Sequence, residues 1–211
     1  YTYPTAGSYT TAFIVLGGFW TSCLDYATDP IVVNQPSTAP TSITGTSTIC
    51  SGGTTTLTAT GGTPGTGVQY EWGTGSTAGT NVIAGATTDT YTTPALSTTT
   101  TYWVRRKDPA PCNTTTTAAT LTVTVNQPST APTAITGPTA VCSGATATLT
   151  ATGGTEGTGA VYEWGTGTVG TNVIASATTA TITTAAITTG TTFWVRRKDG
   201  APCNTVTTEA T

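Results

Sequence analysis

"TTYWVRRKD" runs from Thr100 to Asp108, and "TTFWVRRKD" runs from Thr191 to Asp199. All 6 lysines and arginines of the chain, Arg105, Arg106, Lys107, Arg196, Arg197 and Lys198, lie in these two stretches. In an extended strand successive side chains face opposite sides. Tyr102 and Val104 therefore share one face, and Trp103 and Arg105 the other, with Tyr102 and Val104 the better core pair. "VQYEW" sets Val68, Tyr70 and Trp72 against Gln69 and Glu71, and "LTVTV" sets Leu121, Val123 and Val125 against Thr122 and Thr124. Period-two alternation is the mark of half-buried strands.

The duplication extends well beyond this stretch. "NQPSTAP" occurs at Asn34 to Pro40 and again at Asn126 to Pro132, and the same spacing relates Cys50 to Cys142 and Trp72 to Trp164. A one-residue deletion between Gly75 and Asn81 then shortens the spacing by one, so Trp103 matches Trp194 and Cys112 matches Cys203. Each unit is about one small domain long. Short Thr/Val/Ile runs between Gly, Pro and Asn clusters indicate an all-β sandwich, and no window has helical periodicity. Strands are expected near 42–44, 54–60, 68–74, 81–84, 88–93, 100–107 and 115–125. In the second copy they are expected at 146–152, 160–166, 172–175, 179–184, 191–198 and from 205 onward. The domains expected are 1–33 as the C-terminal part of one, 34–125 as a complete one, and 126–211 as one lacking its last strand, since Thr211 matches Thr120. The whole reads as a segment of a longer tandem array.

Composition removes several function classes. The 211 residues carry a net charge of −3 and no histidine. The usual neutral-pH base and the usual zinc ligand are thus both missing. Basic residues confined to two short runs argue against nucleic-acid binding. "AFIVLGGFW" (Ala12 to Trp20) is too short to cross a bilayer. No Gly-x-Ser-x-Gly elbow occurs, and each repeat has too few converging acids for a glycosidase dyad or a calcium cage. No catalytic residue, metal site or cofactor is expected, and the chain is not expected to be an enzyme.

"YTYPTAGSYT" (Tyr1 to Thr10) resembles the closing motif of polycystic-kidney-disease-type (PKD) domains. "ICSGGTTTLTATGG" with "YEW", "TTTTYW" and a late Cys before "ATLTVTV" is similar to immunoglobulin-like repeats of very long Bacteroidetes surface proteins, including gliding adhesins exported by the type IX pathway. The resemblance covers nearly the whole chain. It implies tandem immunoglobulin-like β-sandwich domains in an extended array, located outside the cell or on its surface.

Five cysteines in such a chain point to an oxidising compartment. The simple pairing is one bridge per repeat, Cys50 with Cys112 and Cys142 with Cys203, leaving Cys23 for a partner upstream of Tyr1. Immunoglobulin strand order sets the first turn and the last hairpin at opposite ends of a sandwich, beyond the roughly 4.4–6.8 Å Cα separation that a disulfide allows. The alternative is Cys50 with Cys203, between successive repeats, with Cys23, Cys112 and Cys142 left for domains outside the segment.

Trp72 and Trp164 are expected as core tryptophans. Trp103 and Trp194, on the outer face beside Arg105 and Arg196, have two readings. In the first, the indole covers the arginine stem, the guanidinium stacks on it, and Glu71 or Glu163 supplies an ion pair. In the second, Trp103, Arg105, Trp194 and Arg196 form an exposed ligand-binding platform on which sugar rings stack. Arg106, Lys107 and Asp108, before a proline turn, are expected as a solvated hairpin. The leading functional expectation is a structural and adhesive stalk or filament, with neighbouring repeats, surface polysaccharide or like subunits as partners. The alternatives are carbohydrate-binding accessory repeats of a secreted hydrolase, or a filament subunit that assembles by strand addition.

Overall fold

The computed structural model describes residues 7–13 and 27–211, with side chains from residue 31 onward. Cys23 lies outside the described residues, as does most of the Tyr1 to Thr10 motif. Among the described residues every helix or strand element is a strand. Strands β1 (Gly7–Phe13) and β2 (Ala27–Val33) pair antiparallel, from Gly7↔Val33 to Phe13↔Ala27.

The first full repeat contributes β3 (Ser42–Thr44), β4 (Thr48–Cys50), β5 (Thr56–Thr60), β6 (Gln69–Thr74), β7 (Thr90–Thr92), β8 (Thr100–Lys107) and β9 (Ala119–Asn126). They form two sheets, in the orders β3-β5-β7 and β4-β9-β8-β6. The second repeat contributes β10 (Ala134–Thr136), β11 (Thr148–Thr152), β12 (Val161–Thr166), β13 (Thr181–Thr183) and β14 (Phe193–Lys198), ordered β10-β11-β13 and β12-β14. By backbone proximity the chain divides into two compact units. One is Tyr1–Gly45, Thr56–Thr92 and Thr100–Thr122; the other is Thr46–Thr55, Thr93–Thr99 and Val123–Thr211.

The alternation read from sequence positions the core. Trp72, Trp164, Leu57, Val104, Val195 and Val123 are fully buried, with Tyr102 nearly so. Trp72 and Trp164 donate their indole N–H to the carbonyls of Thr88 and Thr179 at 2.8 and 2.9 Å, so the polar atom of each large side chain is satisfied inside the core. Threonine hydroxyls pair across the exposed faces, as at Ser42 with Thr60 and Thr56 with Thr92. The outer surface is thereby wetted without charge.

The strand pattern differs from expectation in three places. Residues 81–84 and 172–175 are not strands; each makes one isolated bridge, Val82↔Gly73 and Val173↔Gly165. β4 was not anticipated, because three residues ending at a cysteine are too few to show alternation, and its pairing with β9 is parallel and remote in sequence. The stretch from 205 onward makes single bridges at Val206 and Ala210 in place of a strand.

Candidate functional site

The "WVRRKD" stretch is best followed outward from β8. Its register with β6 sets Trp103 opposite Gly73 and Arg105 opposite Glu71. A glycine in a strand leaves the space that a cross-strand indole fills. A Cβ built on Gly73 would meet Trp103 Cζ2 at 2.2 Å, and one on Gly165 would meet Trp194 Cζ2 at the same distance. The chain then turns back over the indole: Ile83 donates to the Trp72 carbonyl, Asn81 takes a left-handed φ of 47°, and the Trp103 N–H reaches the Thr80 carbonyl at 3.2 Å.

Trp103 and Trp194 are fully buried as a result. The exposed platform of Trp103, Arg105, Trp194 and Arg196 is corrected here. Both indoles do lie on the outer side of their strand, but the 75–81 and 167–172 turns cover that side, leaving no flat face for a sugar ring. The Arg105 guanidinium carbon lies 5.5 Å from the Trp103 ring centroid, and Arg196 stands 5.3 Å from Trp194. Each arginine pairs with its cross-strand glutamate at 2.5 Å, and Lys107 and Lys198 reach the second carboxylate oxygen at 3.2 Å. Burial pushes the Glu71 and Glu163 carboxyls up, but hydrogen bonds and charge from the adjacent Arg and Lys outweigh it and hold both below the ordinary value.

The next residue overturns the solvated-hairpin expectation. Arg106 shares the inward face of Tyr102 and Val104 and is 3% exposed, as is Arg197. Its guanidinium donates to the carbonyls of Thr38 (2.7 Å) and Gly61 (3.0 Å) and to the Tyr70 hydroxyl (3.2 Å), and it lies over the Tyr70 ring. Arg197 repeats this on Thr130, Gly153 and Tyr162. Planar geometry and several fixed donors suit arginine, not lysine, to such a cage of carbonyls.

Asp108 accepts from the Ser37 N–H at 2.7 Å, the Ser37 hydroxyl at 2.5 Å and the Thr114 hydroxyl. Asp199 does the same with Ser129 and Thr205. Burial raises both aspartates, and these hydrogen bonds, with the arginine charge, pull them below the ordinary carboxylate value. "RRKD" thus divides into an outer ion pair and a buried clasp on the "NQPSTAP" segment. Alternation in the sequence places Arg106 with Tyr102 and Val104, while its charge argues for the surface.

The cysteine expectation also changes. Cys50 is bonded to Cys203 with a Cα separation of 4.8 Å, and Cys112 and Cys142 are free. The intradomain pairs Cys50–Cys112 and Cys142–Cys203 are therefore replaced by the bond between successive repeats. The physical reason is local: Ser51 N–H donates to the Asn126 carbonyl, and Cys203 Sγ approaches that same carbonyl at 3.6 Å, so both cysteines converge on Asn126. Cys112 takes the equivalent pose, its Sγ 3.5 Å from the Asn34 carbonyl.

Among the described residues no group of three or more His, Cys, Asp or Glu side chains is placed to hold a metal ion, and no helix is long and apolar enough to cross a membrane. No curated protein sequence matches the chain. Among solved structures, the human OSCAR ligand-binding domain is similar over 82% of this chain and 96% of its own, at 9% identity and a TM-score of 0.37. The mouse nectin-like molecule 4 ectodomain (Ig1–Ig3) is similar over 87% of this chain and 67% of its own, at 14% identity and a TM-score of 0.38. The "Ig-like domain CHU_C associated" family matches residues 36–126 and 129–211. With most of its length covered by these two matches, the chain belongs to that family of immunoglobulin-like domains, present here as a tandem pair.

Proposed function

We propose that this chain is a load-bearing segment of an extracellular repeat protein, a stalk or filament that serves adhesion and is not itself an enzyme. The observation that carries this reading is the Cys50–Cys203 bond, with a sequence separation of 153. A bond between successive repeats shields the residues it encloses from extension when the chain is pulled. Disulfides persist in oxidising compartments, which supports a location outside the cell. The buried clasps of Arg106 and Asp108 on Thr38 and Ser37, and of Arg197 and Asp199 on Thr130 and Ser129, serve the same end. They turn what reads as a proline linker into part of the domain that follows it. The resemblance to gliding adhesins extends the proposal to a cell-surface protein exported by the type IX pathway, with neighbouring repeats as its first partners.

Single-molecule pulling from both termini tests the proposal. At about 3.4 Å per residue, the enclosed loop represents about 500 Å of contour. The oxidised chain should extend without releasing that length, and the reduced chain should release it. Full extension without reductant would overturn the load-bearing role.

A further inference from the structure

The Cys50–Cys203 bond sorts the residues into those that carry tension and those that do not. When the chain is drawn out from both sides, the covalent path runs from Asn34 to Cys50, crosses the two sulfurs and leaves through Asn204. Residues 51–202 hang on this path as a closed loop. The two clasps on the "NQPSTAP" segments make matching contacts, yet they fall on opposite sides of that division.

In the first repeat the gripped residues are on the path and the groups that grip them are in the loop. Ser37 donates its N–H and its hydroxyl to Asp108, and its oxygen accepts from the Gly65 N–H at 2.8 Å. The Thr38 carbonyl accepts from Arg106 at 2.7 Å, and the Thr38 N–H donates to the Thr63 carbonyl at 2.9 Å. Gln35 bonds to Thr66 through both its N–H and its carbonyl. The fit leaves no room for a side chain: a Cβ on Gly65 would lie 2.4 Å from the Gln35 carbonyl oxygen and 2.6 Å from the Ser37 nitrogen. The grip is anchored at the end of β8, which lies between β9 and β6 in its sheet. In the second repeat Ser129 bonds to Asp199 and Gly157 in the same way, and Thr130 to Arg197 and Thr155. There both sides of the grip are inside the loop.

We infer that the clasp of Arg106 and Asp108 on residues 35–38 is a tension latch of the oxidised chain, holding residues 34–49 in place under load, whereas the clasp of Arg197 and Asp199 on Ser129 and Thr130 is bypassed until the Cys50–Cys203 bond is reduced. Opening the first latch frees at most about 55 Å of chain, after which the tension rests on the sulfurs. Reduction puts residues 51–202 on the path and loads the second clasp. The inference rests on the load-bearing reading and adds to it which noncovalent contacts meet the load in each redox state.

The test holds the 211-residue chain in an optical trap at constant force, by an azide-bearing residue in place of Val32, which is 60% exposed, and by Thr211. The oxidised parent should lengthen in a step of no more than about 55 Å. Ser37→Ala and Ser129→Ala remove matching hydrogen bonds and should lower urea stability alike. In the oxidised chain Ser37→Ala should shorten the dwell before that step at least about fivefold, the factor that one hydrogen bond represents. Ser129→Ala should leave this dwell unchanged, and should shorten the dwell before the long release only after reduction. Equal dwells for the oxidised parent and Ser37→Ala, or equal shortening by both substitutions, would overturn the latch while leaving the load-bearing reading in place. Release of the enclosed length of about 500 Å without reductant would remove that reading, and the latch with it.

Discussion

Gly73 and Trp103 are cross-strand partners so close that a Cβ on the glycine would lie 2.2 Å from Cζ2 of the indole. Neither a backbone shift in β6 nor a rotation of the indole beneath its turn is cheap. Gly73→Ala and Gly165→Ala should each destabilise the protein by about 1–3 kcal/mol, the usual cost of overpacking. Urea unfolding followed by tryptophan fluorescence measures this, and a neutral result for both would show that the indole has room to move.

That contact also marks the limit of what the sequence discloses. The strands around Trp72, Tyr102 and Val123 follow from period-two alternation, and the outer position of Trp103 follows from the same rule. Burial of Trp103 does not, because it depends on residues 75–81 folding back over their own strand. Alternation says which side a residue faces but not what lies on that side. Gly73 was the available clue, a strand-interior glycine directly before the turn. Arg106 is the opposite case: its period is legible in the sequence, but its charge argues against burial, and only the carbonyls of Thr38 and Gly61, brought in from distant segments, offset that cost.

The one-residue deletion in the second repeat sets up an internal comparison. Trp103 donates to the Thr80 carbonyl, whereas Trp194 Nε1, fully buried, has no protein acceptor. Replacing indole with phenyl removes a hydrogen bond in the first repeat and only an unsatisfied donor in the second. Trp103→Phe should therefore cost about 1 kcal/mol more than Trp194→Phe, the net worth of one such bond. Paired chemical denaturation of the two variants checks the difference, and equal losses would refute it.

Adjacent basic residues should respond very differently to substitution. Arg106→Met leaves two backbone carbonyls and the Tyr70 hydroxyl without their donor and should cost about 3–5 kcal/mol. Lys107, with half of its side chain exposed, makes one ion pair, so Lys107→Ala should cost at most about 1 kcal/mol. Hydrogen exchange gives a local readout. The Thr38 amide, bonded to the Thr63 carbonyl, should lose protection in Arg106→Met and keep it in Lys107→Ala.

The carboxylates fix the acid limb of stability. Asp108, Asp199, Glu71 and Glu163 all have folded pKa values below their ordinary ones. Their contribution is complete above the ordinary carboxylate range, near 4, and is lost as pH falls through the depressed folded values. Tyr102 and Tyr162 are raised by burial, so their contribution holds below about 10 and is lost at higher pH. Thermal midpoints should form a plateau between these limits, with a shallower acid fall in Asp108→Asn than in the parent. An unchanged acid slope in that variant would remove Asp108 from the account.

Thiol chemistry distinguishes the observed cysteine arrangement from the one-bridge-per-repeat alternative. Cys142 is exposed and Cys112 half-buried against the Asn34 carbonyl, while Cys50 and Cys203 are joined. In a Cys23→Ser background without reductant, a maleimide should modify Cys142 first and Cys112 more slowly, and should leave Cys50 and Cys203 untouched. Peptide mapping locates the labels. Reduction should then expose the remaining pair and lower stability by about 4–5 kcal/mol, the chain-entropy value for a loop of this length. Cys50→Ser should lower it by a similar amount while freeing Cys203 for labelling. A bridged Cys50–Cys112 peptide would restore the intradomain arrangement, and label at Cys50 before reduction would refute both arrangements; either removes the covalent basis for a load-bearing chain.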